Sequence, residues 1–358
     1  MQFNTSSQSV DTMTQTRRIQ HIDSLRGVAV LLMVMVHAAA TWSPFDSLQP
    51  SILAYVISGL GGLAAPLFVT LFGWGLLRSE ISQKQRIFQS LFLFTMQILV
   101  NLTSPHLFQP FTPGVLSLMA LLTLVLPPCS NAFRNFGLRP LIGLSVILVL
   151  IQFSFPNIQG TGTWSDRVAA ESASTIVSNL LLTGTYPVFP WILFAVIGIT
   201  ISMNAVDRGA NVPLNFAIIS TVSCGLMFCI VSFIASQAND ALWAHPTADA
   251  YLTFFPANGP FLIAGATGVM LIWFLLQSAN LTLFNNAGKL SLTIYIIHFI
   301  PLTLMRNFEA IYDWGLNVSA LVVLTYTLVW IPISALWITY YPRANIESLI
   351  KSIRNSLF

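Results

Sequence analysis

The sequence predicts an all-α, polytopic membrane protein of about ten transmembrane helices, with N- and C-termini both cytoplasmic. Three observations carry that expectation. First, 55% of the 358 residues are hydrophobic and only 8% are charged, against about a quarter charged in a soluble domain. Second, apolar runs near the roughly 20 residues needed to cross hydrocarbon recur along the chain. Third, basic residues gather on alternate connections between the runs. With the N-terminus inside, all but Arg167 and Arg306 of the 15 Lys and Arg residues fall on the inner side, as the positive-inside rule demands. Removing or adding one run scrambles that bias, so run count and orientation support each other.

Residues 1–18 form a polar lead, expected as a disordered cytoplasmic tail with no cleavable signal peptide. Residues 19–342 are expected to form one bundle, and 343–358 a cytoplasmic C-terminal tail. The runs begin at about 25–42 and about 54–77, the second carrying Gly59, Gly61, Gly62, Ala64 and Ala65, small residues that let helices approach closely. The third, at about 87–104, carries Gln89, Gln97 and Asn101. The fourth, about 112–127, lies between Pro113-Gly114 and Pro127-Pro128, and the fifth covers about 139–155. The sixth, about 187–203, opens on Tyr186-Pro187-Val188-Phe189-Pro190-Trp191. The last four lie at about 213–236, 260–277, 289–305 and 317–341. Two longer outer connections, about 156–186 and 237–259, hold Trp164, Trp243 and His245 and suit a rim that admits substrate. No repeat and no pair of Gly/Pro-broken helices of the transporter kind stands out.

Several function classes drop away. The net charge of +3 is scattered, with no basic stripe for nucleic acid. Cys129, Cys224 and Cys229 lack metal-ligand spacing and read as small packing residues, so no metal is expected. Phosphate-binding glycine loops and Gly-x-Ser-x-Gly elbows are missing too.

Chemistry concentrates in the first run. Arg26 stands at its mouth and His37 eleven residues on, which places them on nearly one face, about 16 Å apart along the axis. His298 in the ninth run is the other histidine inside a span. Ionisable groups at such depth serve function by default, and an imidazole can act as general base or acyl acceptor. The plainer alternative is a neutral ring hydrogen-bonded to a neighbouring helix. Arg26 can orient an anion or snorkel to lipid phosphate, and Asp23, one turn back, can pair with it or cap the helix. Gln97 and Asn101 share one helix face and can act as interhelical amide glue. His106 reads as an incidental interfacial residue, and Trp42, Trp164, Trp243 and Trp314 as an aromatic belt.

At these residues the sequence resembles the heparan-α-glucosaminide N-acetyltransferase-like family, within the wider group of bacterial transmembrane acyltransferases. The opening Arg18-x4-Asp23-x2-Arg26-Gly27-x-Ala29-x2-Leu32-Met33-Val34 is similar to the family's N-terminal signature. Asn101 followed by Pro113-Gly114-Val115-Leu116, then Tyr186-Pro187-x2-Pro190-Trp191-x2-Phe194-x3-Gly198 and Leu290-Ser291-Leu292-x2-Tyr295-x2-His298, resemble its later motifs. Arg26-x10-His37 fits the arginine–histidine pair of the bacterial enzymes. The resemblance implies an acetyl-CoA (acyl-CoA) donor taken from the cytoplasm and an extracytoplasmic saccharide acceptor, in a bacterial or archaeal cytoplasmic membrane, with a homodimer one possible assembly. Arg26, Asp23 and Asn101 would serve the donor. His37 would be base or acetyl carrier, and His298 would polarise or orient. In the family's lysosomal members a histidine in the loop after the first span serves catalysis, and an asparagine stands where His37 does. The loop here, Ser43 to Ser51, has no histidine. By the bacterial pattern the role falls on His37, or the chemistry differs. A proton-coupled transporter with a histidine relay, and a non-catalytic membrane subunit, are the rival expectations.

Overall fold

The computed structural model describes residues 19–42, 52–79, 81–129, 135–206, 210–247, 250–279 and 281–358. The N-terminal tail and the histidine-free segment 43–51, both read above, lie outside the described residues.

The chain is almost wholly helical. In order come α1 (Gln20–Thr41), α2 (Ile52–Gly61), α3 (Ala64–Arg78), α4 (Gln83–Thr103), α5 (Val115–Val125), α6 (Arg139–Ser154), α7 (Val188–Asn204) and α8 (Phe216–Ala238). Two short strands, β1 (Leu242–His245) and β2 (Ala250–Thr253), pair in parallel with Leu242 opposite Ala250. Then follow α9 (Gly259–Ser278), α10 (Asn285–Lys289), α11 (Ser291–Ile297), α12 (Phe299–Met305), α13 (Leu316–Tyr340) and α14 (Ile346–Leu357). Each apolar run of the sequence coincides with one of these helices or with a broken pair of them. Among the described residues, five helices are long and apolar enough to cross a membrane, or up to seven if each bent pair is one span.

The bent pairs correct one expectation, since broken helices were not legible in the sequence. One bend, of 49°, lies between Ala173–Thr183 and α7; the other, of 68°, joins Thr282–Lys289 to Ser291–Tyr312. Within the second, the helix breaks again at His298, between α11 and α12. Pro301 has no N–H for the Ile297 carbonyl, and its ring crowds that turn. The Tyr326 hydroxyl donates to the His298 carbonyl at the break, at 2.6 Å.

α1 is the axis of the bundle. Burial covers 72% of its most apolar window, against 11% for α8. It packs on α3, α10 and α13. Its approach to α10 is as close as backbones allow. A Cβ on Gly27 would strike the Phe284 carbonyl oxygen, and one on Gly288 would strike the Asp23 carbonyl oxygen. α3 and α7 cross the same way, Gly73 against the Ala195 carbonyl and Gly198 against that of Thr70. With lipid as apolar as any core, such fit of small residues is what drives helices together. The glycines at 59 and 61 make no contact that close: a Cβ on Gly59 would meet nothing within 4 Å.

Polar fastenings finish the ends. At the α1 start, the Ser24 hydroxyl lies 2.8 Å from the Leu281 carbonyl oxygen and 2.6 Å from the Asn285 side-chain amide. The C-terminal residues form the amphipathic helix α14. Its Glu347 accepts the free N–H groups of Leu292 (2.7 Å) and Thr293 (3.2 Å), capping the start of α11. At the other end, segment 155–187 is tied down from within by Arg167, only 2% exposed, which donates to the carbonyls of Thr183 (2.9 Å) and Gly160 (3.1 Å). Burial pulls that guanidinium below its ordinary value, and neighbouring Asp166 partly restores it.

Candidate active site

The two span histidines meet. His37 Nδ1 lies 2.9 Å from His298 Nε2, and the rings stack with centroids 5.1 Å apart at 13°. His298 Nδ1 lies 2.9 Å from the Ile294 carbonyl oxygen, which can only accept. That bond assigns the proton of His298 to Nδ1 and leaves its Nε2 a lone pair, so His37 must donate from its own Nδ1. The basic lone pair of the relay is therefore on His37 Nε2. This is the logic of a catalytic base whose tautomer is fixed by a second group and that group by a third. Phe299 covers both rings, with centroids 4.5 Å from His37 and 4.2 Å from His298. His298 is fully buried, whereas His37 reaches a cavity.

That cavity, of about 470 Å³, is walled by aromatic groups including Trp164, Tyr186, Trp243 and Phe254, with His37 and His245 in its lining. Tyr186, Trp191, Phe254 and Phe261 form a continuous edge-to-face cluster behind it. The tryptophans read as an interfacial belt thus do other work: Trp164 and Trp243 line the cavity, and the Trp243 indole donates to Ser232 at 3.0 Å.

His106, read as incidental, sits at the edge of this centre. It lies 3.3 Å from the hydroxyls of both Thr41 and Thr303, and Thr41 in turn donates to the His37 carbonyl at 2.8 Å. Burial, and then the Arg306 charge, hold His106 below the usual imidazole range.

Arg26 lies elsewhere. It lines a second cavity, of about 320 Å³, at the other end of α1, together with Arg354, Ser79, Gln89 and Ser291 over an apolar floor. Its guanidinium is 3.7 Å from Asp23, so the two sequence candidates are an i,i+3 ion pair. Arg354 could not be foreseen, because it comes from the segment read as a tail. Its one signal was the amphipathic spacing of Ile346, Leu349, Ile350 and Ile353. Two rings stand between this cavity and His37. Phe68, in the Arg26 cavity wall, stacks on Tyr295 at 6.1 Å, and Tyr295 lies 6.0 Å from His37.

Asn101 reaches neither cavity. Its amide donates to the carbonyls of Pro110 (3.0 Å) and Thr112 (2.9 Å), and its oxygen accepts from Gln97 at 2.9 Å. Gln97 in turn accepts from the Leu116 N–H at 3.1 Å. The amide pair binds the connection between α4 and α5, the glue alternative of the sequence reading.

The catalytic-domain model of heparan-alpha-glucosaminide N-acetyltransferase matches residues 18–231, more than half of the chain. The chain belongs to that family. It is thereby an integral membrane protein of an N-acetyltransferase family, and its many apolar helices agree. The match contains Asp23, Arg26, His37 and Asn101; His298 and Arg354 lie beyond it. No curated protein matches the chain.

Proposed function

We propose that this family member transfers an acetyl group from cytoplasmic acetyl-CoA to a hydroxyl or amine of an extracytoplasmic saccharide. The observation that carries the reading is the His37–His298–carbonyl relay, which puts one basic imidazole in the lining of an aromatic-walled cavity. Aromatic walls suit the apolar faces of sugar rings. The Arg26 cavity suits the donor: Arg26 and Arg354 offer planar forks for phosphates, and the apolar floor offers a bed for the pantetheine arm. The 16 Å rise from Arg26 to His37, a distance of about eleven residues of helix, is what such an arm must span.

In this reading His37 Nε2 takes the proton of the acceptor as its oxygen or nitrogen attacks the thioester carbon. The new C–O or C–N bond forms, the C–S bond breaks, and the proton passes to the departing thiolate. His298 holds the ring and disperses the charge gained. Phe68 and Tyr295 must part for the thioester to arrive. The charge bias supports a direction: with Arg26, Arg78, Lys289, Arg343 and Arg354 at the cytoplasmic end, His37 faces outward, in line with the expectation of ten crossings and both termini inside.

The test is release of free CoA when the purified protein receives acetyl-CoA and cell-envelope glycans, with glycan mass spectrometry for the added acetyl. His37→Ala should abolish both signals while inserting normally. Undiminished transfer by that variant would overturn the assignment. The 68° bend between Thr282–Lys289 and Ser291–Tyr312 favours one second reading, a proton-coupled transporter. Saccharide flux that follows a pH gradient in vesicles, without CoA release, would support it instead.

A further inference from the structure

The His37 cavity is not uniform along its length. Its polar groups His37, His245, Thr247 and the Trp164 and Trp243 indoles cluster at the rim. His37 is four residues from the end of α1, about 6 Å down. Below that level the lining, supplied by α2, α8 and α9, is mostly apolar and ends at Leu226 and Leu271; Thr267 turns its hydroxyl to the Ile263 carbonyl at 2.8 Å, and Cys229 adds a thiol. Leu226 is twelve residues from the rim end of α8 and Leu271 twelve from the rim end of α9. Both therefore lie about 18 Å deep, near the middle of a bilayer about 30 Å thick.

The deep end is open sideways. Leu226 is 44% exposed and Leu271 41%, so residues that line the cavity also face lipid. Small residues keep the passage clear: Gly59, Gly62 and Gly268 all line it, and a Cβ at Gly59 would meet open space. The helix on one side, α8, is also lightly held, resting on α9 and β1. A soluble sugar has no use for an apolar cleft of this depth, and filling it with water wastes apolar contact.

We infer that the cleft takes the hydrocarbon tail of an amphiphilic acceptor: a lipid-linked saccharide that enters between α2, α8 and α9 from the leaflet on the His37 side. Its sugar head rests against the aromatic rim with the reacting hydroxyl or amine at His37. The inference rests on the acetyl-transfer reading for the fate of the head, and on the cavity alone for the place of the tail.

The test uses the full chain in phospholipid vesicles with a dodecyl glucosaminide carrying a diazirine at its chain end. Irradiation should label α8 and α9 around Leu226, Cys229 and Leu271. Excess plain dodecyl glucosaminide should remove the label, and free glucosamine should not. Cys229→Trp and, from the facing wall, Leu271→Trp should each prevent it. Labelling spread over lipid-facing α6 and α13, or equal labelling by a diazirine dodecanol without a sugar, overturns the inference. In parallel, acetyl acceptance should rise at least tenfold from methyl to dodecyl glucosaminide, and either tryptophan should remove most of that rise. An unchanged rise in both variants means mere partitioning into the bilayer and also overturns it. Competed labelling without any acetyl transfer leaves the tail site standing and removes the transferase reading. Transfer to methyl and dodecyl acceptors alike, without competed labelling, does the reverse.

Discussion

The two cavities at the ends of α1 differ in kind. The Arg26 cavity holds two guanidiniums, the hydroxyls of Ser79 and Ser291 and the amide of Gln89, over walls of aliphatic residues with Phe68 and Phe72. The His37 cavity is larger, about 470 against 320 Å³, and its polar groups are imidazoles, hydroxyls and indoles set among aromatic rings. On the proposed reading one end holds a charged donor by its anions and the other removes a proton. A single helix can serve both because eleven residues carry a side chain through half a bilayer while bringing it back to the same face. If the proposed reading holds, the difference separates recognition from reaction, with the Phe68–Tyr295 ring stack between the two cavities.

Substitutions can break or sharpen that contrast. His37→Ala should lower acetyl transfer by about 10²–10⁴-fold, as expected for loss of a positioned base. His298→Ala should cost about 10–100-fold through the lost tautomer lock, and the double variant little more than His37→Ala alone, since a relay is not additive. These are read as CoA release at saturating donor. Phe68→Ala should join the cavities, raising acetyl-CoA hydrolysis without acceptor severalfold while transfer falls; an unaltered ratio of hydrolysis to transfer argues against the partition. Arg354→Ala and Arg26→Lys should each raise KM for acetyl-CoA about tenfold, the scale of one lost charge-assisted contact, leaving kcat nearly intact. An equal fall in kcat instead would move Arg354 out of donor binding. The smallest effect concerns His106. Its folded value is depressed, so the unfolded chain takes up a proton that the folded chain refuses. The stability from this group is full above about pH 6.5 and is lost as pH falls toward the folded value. The protection factors of amides in residues 103–114, corrected for the intrinsic pH dependence of exchange, should fall from about pH 7.5 to about pH 5.5, and His106→Asn should flatten the change.

Much of the fold was legible. Apolar runs and charge bias mark helices because hydrocarbon imposes length and the translocated side rejects cations. The Arg26-x10-His37 face was also legible, since helical pitch alone sets it. Pairing of helices was not. In spans that are apolar all round, the face toward protein and the face toward lipid read alike, so nothing in the sequence joins His37 to His298 across 261 positions. Asn101 misled for a related reason: a buried amide near a family motif serves a loop as readily as a ligand. The contribution of Arg354 depends on α14 folding back under the bundle, which a charge count cannot convey. The break at His298 had a visible cause in Pro301, and the bend before α7 in Gly184 and Pro187, but none of these residues by itself tells a bent span from a loop.

Buried Arg167 has a consequence for anyone mapping this protein in a membrane. Proteases that cut after basic residues need the side chain in their own pocket, and Arg167 is 2% exposed with its guanidinium fastened to the loop it would have to leave. Arg306 is exposed. Trypsin added from the His37 side should therefore cut once, after Arg306, and part the chain between the relay and α13. Added from the other side, it should meet exposed Arg78, Lys84, Arg343 and Lys351 and cut the chain at several points. A loop fastened from within thus reduces the footprint of one whole face to a single scission, and the size of the fragment reports which way the molecule sits.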